Sequence, residues 1–221
     1  MNKFHFIFFL LLNLMSFGQS QGISLDFDNI SFAKFDNHYT NFHGEMIEIR
    51  NSKDSTYRIT IIQNEKYKKA ELFDLKNNIE ATFDLNFTFK KIEDLNRLKY
   101  KSSYAIYGNN YHDKRDTFTE VTYVKDSIEN KITVRSALYV YTNRKKNKKK
   151  ILKDGYYIFN TIPNQKNYYN YQKSNFINEF KIPLTENDVL VRFINVTGDK
   201  INTELNYTET KEVEFNFKFY F

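Results

Sequence analysis

Apolar and polar residues alternate with a period of two along much of this chain. Ala81, Phe83, Leu85, Phe87 and Phe89 are separated by Thr82, Asp84, Asn86 and Thr88. Ile132, Val134, Leu138 and Val140 fall on one side of another run. Ile201, Leu205 and Tyr207 alternate with Asn202, Glu204, Asn206 and Thr208, and Val213, Phe215, Phe217, Phe219 and Phe221 close the chain. Successive side chains of a strand point to opposite faces, so these runs predict sheets with one apolar side. Turn residues fall between them. Asn77-Asn78 separates Ala70–Leu75 from Ile79–Phe89, and Gly198-Asp199 separates Val189–Val196 from Lys200–Thr208. Asn51–Ser55 and Asp154-Gly155 read as further turns. Asn and Gly tolerate the positive φ of tight hairpins, and the predicted product is an antiparallel sheet built from consecutive hairpins.

Only Lys91–Lys101, where Ile92, Leu95 and Leu98 recur at helical spacing, competes with this pattern, as a short helix or as a loop. Pro163–Asn175 is rich in Asn, Tyr, Gln and Lys and has no period. It reads as a long loop and as the place for an internal boundary, near residues 163–175. The expected fold class is all-β, an antiparallel β-sandwich of one domain or two closely packed ones.

The first residues belong to none of this. Lys3 precedes the apolar run Phe4–Leu12, and small residues follow at Ser16 and Gly18. A short positive segment, an apolar segment too short to span a bilayer and small residues before a cut make a secretory signal peptide, residues 1–18. Cleavage is expected after Gly18, with Ser20 as the alternative. The ending Ser16-Phe17-Gly18-Gln19 resembles the signal peptides of exported proteins of Bacteroidota. The exported chain of about 200 residues is long enough to bury a core of its own. It has no cysteine, so disulfides, thiolate metal sites and cysteine lipidation are excluded, and packing and strand pairing must hold it together.

Composition adds little to this. The 17 Tyr and 22 Phe, with abundant Lys, Asn and Ile and few Gly and Pro, match the A/T-rich codons of a low-GC genome. The formal net charge is +6, and Arg144, Lys145, Lys146, Lys148, Lys149 and Lys150 account for all of it. One local cluster is not the spread basic field of a nucleic-acid-binding face, and no nucleic-acid partner is expected. Between strand-like Ala137–Thr142 and Tyr156–Ile162 the run reads as a hairpin loop. It is either merely solvated or an anion-binding loop for lipopolysaccharide, polysaccharide or phospholipid.

Candidate chemistry is sparse. His38 and His43, five apart, would diverge on a strand and could join on one metal only through a loop, and His112-Asp113 would diverge likewise. There is no Gly-x-Ser-x-Gly elbow and no glycine-rich phosphate loop. Asp26 and Asp28 lack the glycine and glutamate of a calcium loop and read as the solvent face of a first strand. No catalytic residue, metal or cofactor is therefore assigned, although a carboxylate pair could be assembled from distant strands.

Glu212–Phe221 alternates without a break and ends on an aromatic residue. It resembles the terminal recognition strand of bacterial outer-membrane β-barrels over about ten residues. The resemblance implies a small outer-membrane β-barrel as the alternative fold, with Arg135 and Arg192 facing a lumen. The functional expectation is an exported, non-enzymatic binding or structural module of the periplasm, cell surface or medium. Its partner would be an anionic envelope component or another envelope protein. An exported hydrolase is the further alternative. Processing is directly testable: intact mass of the exported protein should place the mature start at Gln19, and a chain retaining Met1–Leu12 would contradict the exported assignment.

Overall fold

The computed structural model describes residues 22–54, 56–106, 116–141, 149–166 and 181–220, with the backbone alone at 116–119, 138–141 and 149–153. The strands are β1 (Gly22–Asn37), β2 (Phe42–Arg50), β3 (Tyr57–Gln63), β4 (Lys68–Asp74), β5 (Ile79–Asp84), β6 (Lys99–Ala105), β7 (Asp116–Asp126), β8 (Lys131–Tyr141), β9 (Lys149–Thr161), β10 (Asp188–Thr197) and β11 (Lys200–Tyr220). They form one antiparallel sheet in the order β6-β5-β4-β3-β2-β1-β11-β10-β9-β8-β7. The all-β class is as expected. Apart from the β1–β11 pair, neighbours in the sheet are neighbours in the chain, as the hairpin reading requires. The positive φ of Asn78 (57°) and Gly198 (60°) confirms two of the predicted turns.

The sheet holds two apolar cores. The larger gathers Ile47, Ile61, Ala70 and Phe83, a row of directly opposed residues across β2, β3, β4 and β5, and the parallel row Ile49, Ile59, Leu72 and Ala81. The smaller gathers Ile132, Val134, Phe159 and Leu190 from β8, β9 and β10, with Ile182 from the segment before β10. Opposed residues share a face, so the ladders show how the two relate. Val134, Tyr157, Phe193, Leu205, Phe35 and Gly44 form one row from β8 to β2. On β2, Gly44 and Glu48 point opposite to Ile47 and Ile49. The two cores therefore lie on opposite faces of the same sheet: the larger on the Ile47 face, the smaller on the Glu48 face.

β11 contributes to both. Phe32 and Ala33 are consecutive in β1, but their partners Glu209 and Tyr207 are two apart. The extra residue, Thr208, is a β-bulge. It turns Tyr207 to the Glu48 face and leaves Val213, Phe215, Phe217 and Phe219 on the Ile47 face. The last of these close the larger core. Phe83 of β5 meets Phe217 and Phe219 at ring-centroid distances of 5.7 and 5.2 Å, and Tyr100 of β6 stacks on Phe219 at 6.2 Å. In a flat sheet β5 and β11 would stand about 24 Å apart at normal strand spacing. The sheet curls until its end packs on its middle, and the two layers of the sandwich are two stretches of one sheet.

The alternative fold is corrected. The strand order is linear, with β6 and β7 at its ends and no ladder between them, so this is not a closed barrel. Asp154-Gly155 is not a turn but lies inside β9. Gly155 is packed between β8 and β10, where a Cβ would stand 2.9 Å from Ser136 Oγ. Strand Ile79–Phe89 ends at Asp84, because Phe89 pairs instead with the buried amide of Gln63. The Phe89 N–H donates to Gln63 Oε1, and Gln63 Nε2 donates to the Phe89 carbonyl, both at 2.9 Å. Ile92–Arg97 is a 3-10 helix, whose three-residue turn matches the spacing of Ile92, Leu95 and Leu98 and buries Leu95. The 163–175 stretch lies between the paired strands β9 and β10, mostly outside the described residues.

Phe217, 2% exposed, tests the closure of the larger core. Phe217→Lys would bury an unpaired ammonium against Phe83, and we expect a loss of about 4 kcal/mol or more in urea unfolding. An unchanged midpoint would contradict the packing described.

Candidate functional site

Each half of the sheet buries one face, and over β8, β9 and β10 the Ile47 face is the one left outside a core. The row Arg135, Tyr156, Ile194, Glu204, Asp36 and His43 crosses six strands there, from β8 to β2. Its charges are paired in the plane of the sheet. Arg135 donates to Asp154 Oδ2 at 2.9 Å and lies 5.7 Å from the centre of the Tyr156 ring. Arg192 holds Glu204 Oε1 through Nε at 3.0 Å and Nη2 at 2.8 Å, and Asn206 donates to the same oxygen at 2.7 Å. His43 Nδ1 meets Asp36 Oδ1 at 2.6 Å. These side chains are partly exposed, His43 most of all at 61%. The result is a broad face of both signs on rigid strands.

Asp36 and Glu204 stand directly opposite each other in the β1–β11 ladder. Distant strands thus do bring two carboxylates together, as the sequence left open. Like charges at opposed positions repel, and here His43 and Arg192 flank the pair.

A second polar cluster lies on the Glu48 face. Glu48 is 5% exposed. Its Oε2 accepts the Tyr207 hydroxyl at 2.7 Å, and its Oε1 accepts Arg50. Arg50 is directly opposed by Arg58 of β3. Burial opposes ionisation of Glu48, but Arg50, the Tyr207 hydroxyl and Arg58 outweigh it and hold the carboxyl below its usual value of 4.5. Tyr207 also packs against the smaller core, so this bond ties that core to the strand carrying Ile47 and Ile49.

Asp188, 2% exposed, anchors the return into β10. It accepts the Thr161 hydroxyl, the Thr185 N–H at 2.6 Å and the Thr185 hydroxyl at 2.8 Å. Burial opposes its ionisation, but these donors prevail and its carboxyl titrates low.

Of the basic run, Lys149 and Lys150 belong to β9 opposite Tyr141 and Val140, a correction to a loop spanning the whole run. Arg144, Lys145, Lys146 and Lys148 lie outside the described residues, as does His112. His38 and His43 do not share a strand. They flank the turn between β1 and β2, with ring centroids 6.4 Å apart. Among the described residues no group of three or more His, Asp or Glu is placed to hold a metal ion. Asp26 is exposed on β1 as expected, whereas Asp28 is engaged by the Ser52 N–H at 2.8 Å and its hydroxyl. Sequence reading missed Glu48 and Asp154. The only signal for either was a charge inside an alternating run, and that marks a solvent face as readily as a buried pair.

No protein-family model matches the chain, and no curated protein matches it.

Tyr207→Phe should cost about 1–3 kcal/mol, because a buried carboxylate loses a donor. Glu48 has a lowered folded pKa, so its contribution is fully present above its unfolded value and lost as pH falls through the folded one. The stability difference between wild type and Glu48→Gln, measured by urea unfolding, should therefore be constant above about pH 5.5 and shrink below 4.5. A difference that grows on acidification would contradict the assignment.

Proposed function

We propose that this is an exported, non-enzymatic β-module of the cell envelope that binds a macromolecular partner through the Ile47 face of β8, β9, β10 and β11. The supporting observation is the ion-paired row itself. Arg135–Asp154, Arg192–Glu204 and His43–Asp36 are fixed on strands, spread over six of them and partly exposed. Long, prepaired side chains lose little freedom on docking, and a broad face of both signs suits another protein better than a small ligand or a polyanion. The signal-peptide pattern supports export, and the cysteine-free composition is compatible with any envelope compartment.

Fractionation and rebinding test the proposal. The mature protein should be released from envelopes by a carbonate wash and should rebind to the washed envelopes saturably. Arg135→Gln with Arg192→Gln should weaken rebinding about tenfold or more. Ser at Lys145, Lys146, Lys148 and Lys149 should leave it unchanged and move stability by less than about 0.5 kcal/mol. Rebinding that ignores the arginine pair would contradict the proposal. A salt-dependent loss in the serine variant would transfer the function to the basic run and an anionic partner.

The opposed carboxylates Asp36 and Glu204 support a second reading, an exported hydrolase with glycosidic substrates. Release of reducing ends from envelope polysaccharide, abolished by Glu204→Gln, would establish it in place of the first.

A further inference from the structure

We propose that the turns joining β1 to β2 and β3 to β4 bind a neutral, β-linked polysaccharide, with Tyr39 and Tyr67 as the rings on which its sugars stack. Successive hairpins alternate ends, so these two turns lie at the same end of the sheet. β2 and β3 are neighbours, so the turns stand about 10 Å apart at normal strand spacing, roughly the length of two linked sugar rings. Tyr39 is 89% exposed and Tyr67 47%. The site lies at the end of the sheet and uses none of the ion pairs of the Ile47 face.

Both rings are carried on fixed backbone. Asn37 Oδ1 accepts the N–H groups of Tyr39 and Thr40, each at 3.1 Å. Asn64 Oδ1 accepts those of Lys66 and Tyr67 at 2.9 and 2.7 Å, and the Asn64 N–H donates to the Tyr67 carbonyl at 2.8 Å. Each turn is also tied to a neighbouring strand. The His38 N–H donates to the Asn202 carbonyl of β11 at 2.7 Å, and Asn64 Nδ2 donates to the His43 carbonyl of β2 at 3.0 Å. Phe42 braces Tyr67 edge-on, with ring centroids 5.8 Å apart. Exposed tyrosines held in this way give contact area at little entropic cost.

The chemistry of the turns selects the ligand. Residues 37–42 include no Asp, Glu, Lys or Arg, and in residues 64–67 Glu65 and Lys66 offset each other, so neither a polyanion nor a polycation is favoured. Tyr39 stands clear of its neighbours, whereas the anchors of a protein interface fill desolvated pockets. A β-linked pyranose matches both properties. Its equatorial substituents leave an apolar C–H face to stack on the face of an aromatic ring, and its hydroxyls meet the exposed His38 and the two phenol groups at the edge.

Native affinity electrophoresis of the full mature protein tests this, with hydroxyethylcellulose, laminarin and glycol chitin each cast into the gel. At least one should retard the wild type. Tyr39→Leu and Tyr67→Leu should each weaken that retardation about tenfold, whereas Tyr39→Phe and Tyr67→Phe should stay within about threefold of wild type. The positions are exposed, so each variant should keep its strands, which circular dichroism checks. A wild type that runs past all three glycans would overturn the proposal, whatever the variants do. So would leucine variants that bind as well as the phenylalanine ones, or a retardation removed by salt.

Discussion

One strand has to serve two cores that face opposite ways. β11 enters the sheet beside β10, where the apolar side is the Glu48 face, and ends paired with β1, where the apolar side is the Ile47 face. A strand that alternates without interruption cannot satisfy both. The bulge at Thr208 resolves the conflict by inserting one unpaired residue, so that odd-numbered side chains change sides in mid-strand. Directly beside it the Tyr207 hydroxyl reaches the buried carboxylate of Glu48. That bond also answers an electrostatic need, since Arg50 and Arg58 oppose each other on neighbouring strands and require an anion between them.

The opposed cores explain how a cysteine-free chain closes on itself. The curl toward the Ile47 face is held by aromatic packing, Phe83 and Tyr100 on Phe217 and Phe219, in edge-on and stacked geometries that add to simple burial. Large rigid side chains where the β5–β6 end meets β11 do what ladder hydrogen bonds do in a barrel, and among the described residues no ladder joins β6 to β7. The smaller core is completed by chain outside the sheet, with Ile182 and Leu184 packed over Phe159 and Leu190 and the return fastened by Asp188. Each half is left with one dry face and one wet face, and the wet face of β8 to β11 is where the ion pairs gather.

The alternating runs in β5, β8 and β11 mark them as strands, and Asn78 and Gly198 carry their own turns, so these parts were legible in the sequence. Alternation is local, however, and says nothing about which of two faces a neighbouring run shares. Ile201–Thr208 and Glu212–Phe221 look alike and are even in phase, yet a single bulged residue sends them to opposite cores. Gly155 looked like a turn because nothing local distinguishes a glycine that permits a bend from one that admits a neighbouring strand. Gln63 standing in for a strand beside Phe89 depends on a contact 26 residues away. The ion-paired face was invisible for the same reason. Arg135, Asp154, Arg192, Glu204, Asp36 and His43 come from six strands, and only the ladder order brings them into neighbouring positions.

The register across Thr208 is therefore the point on which the two-core arrangement stands. Cross-strand backbone NOEs in the mature protein measure it directly. The arrangement predicts Ala33 opposite Tyr207 and Phe32 opposite Glu209, with Phe83 showing ring contacts to Phe219 and Tyr207 showing none to Phe217. An unbroken register, with Phe32 opposite Thr208 and Tyr207 sharing contacts with the Phe217–Phe219 cluster, would place both cores on one face and contradict it.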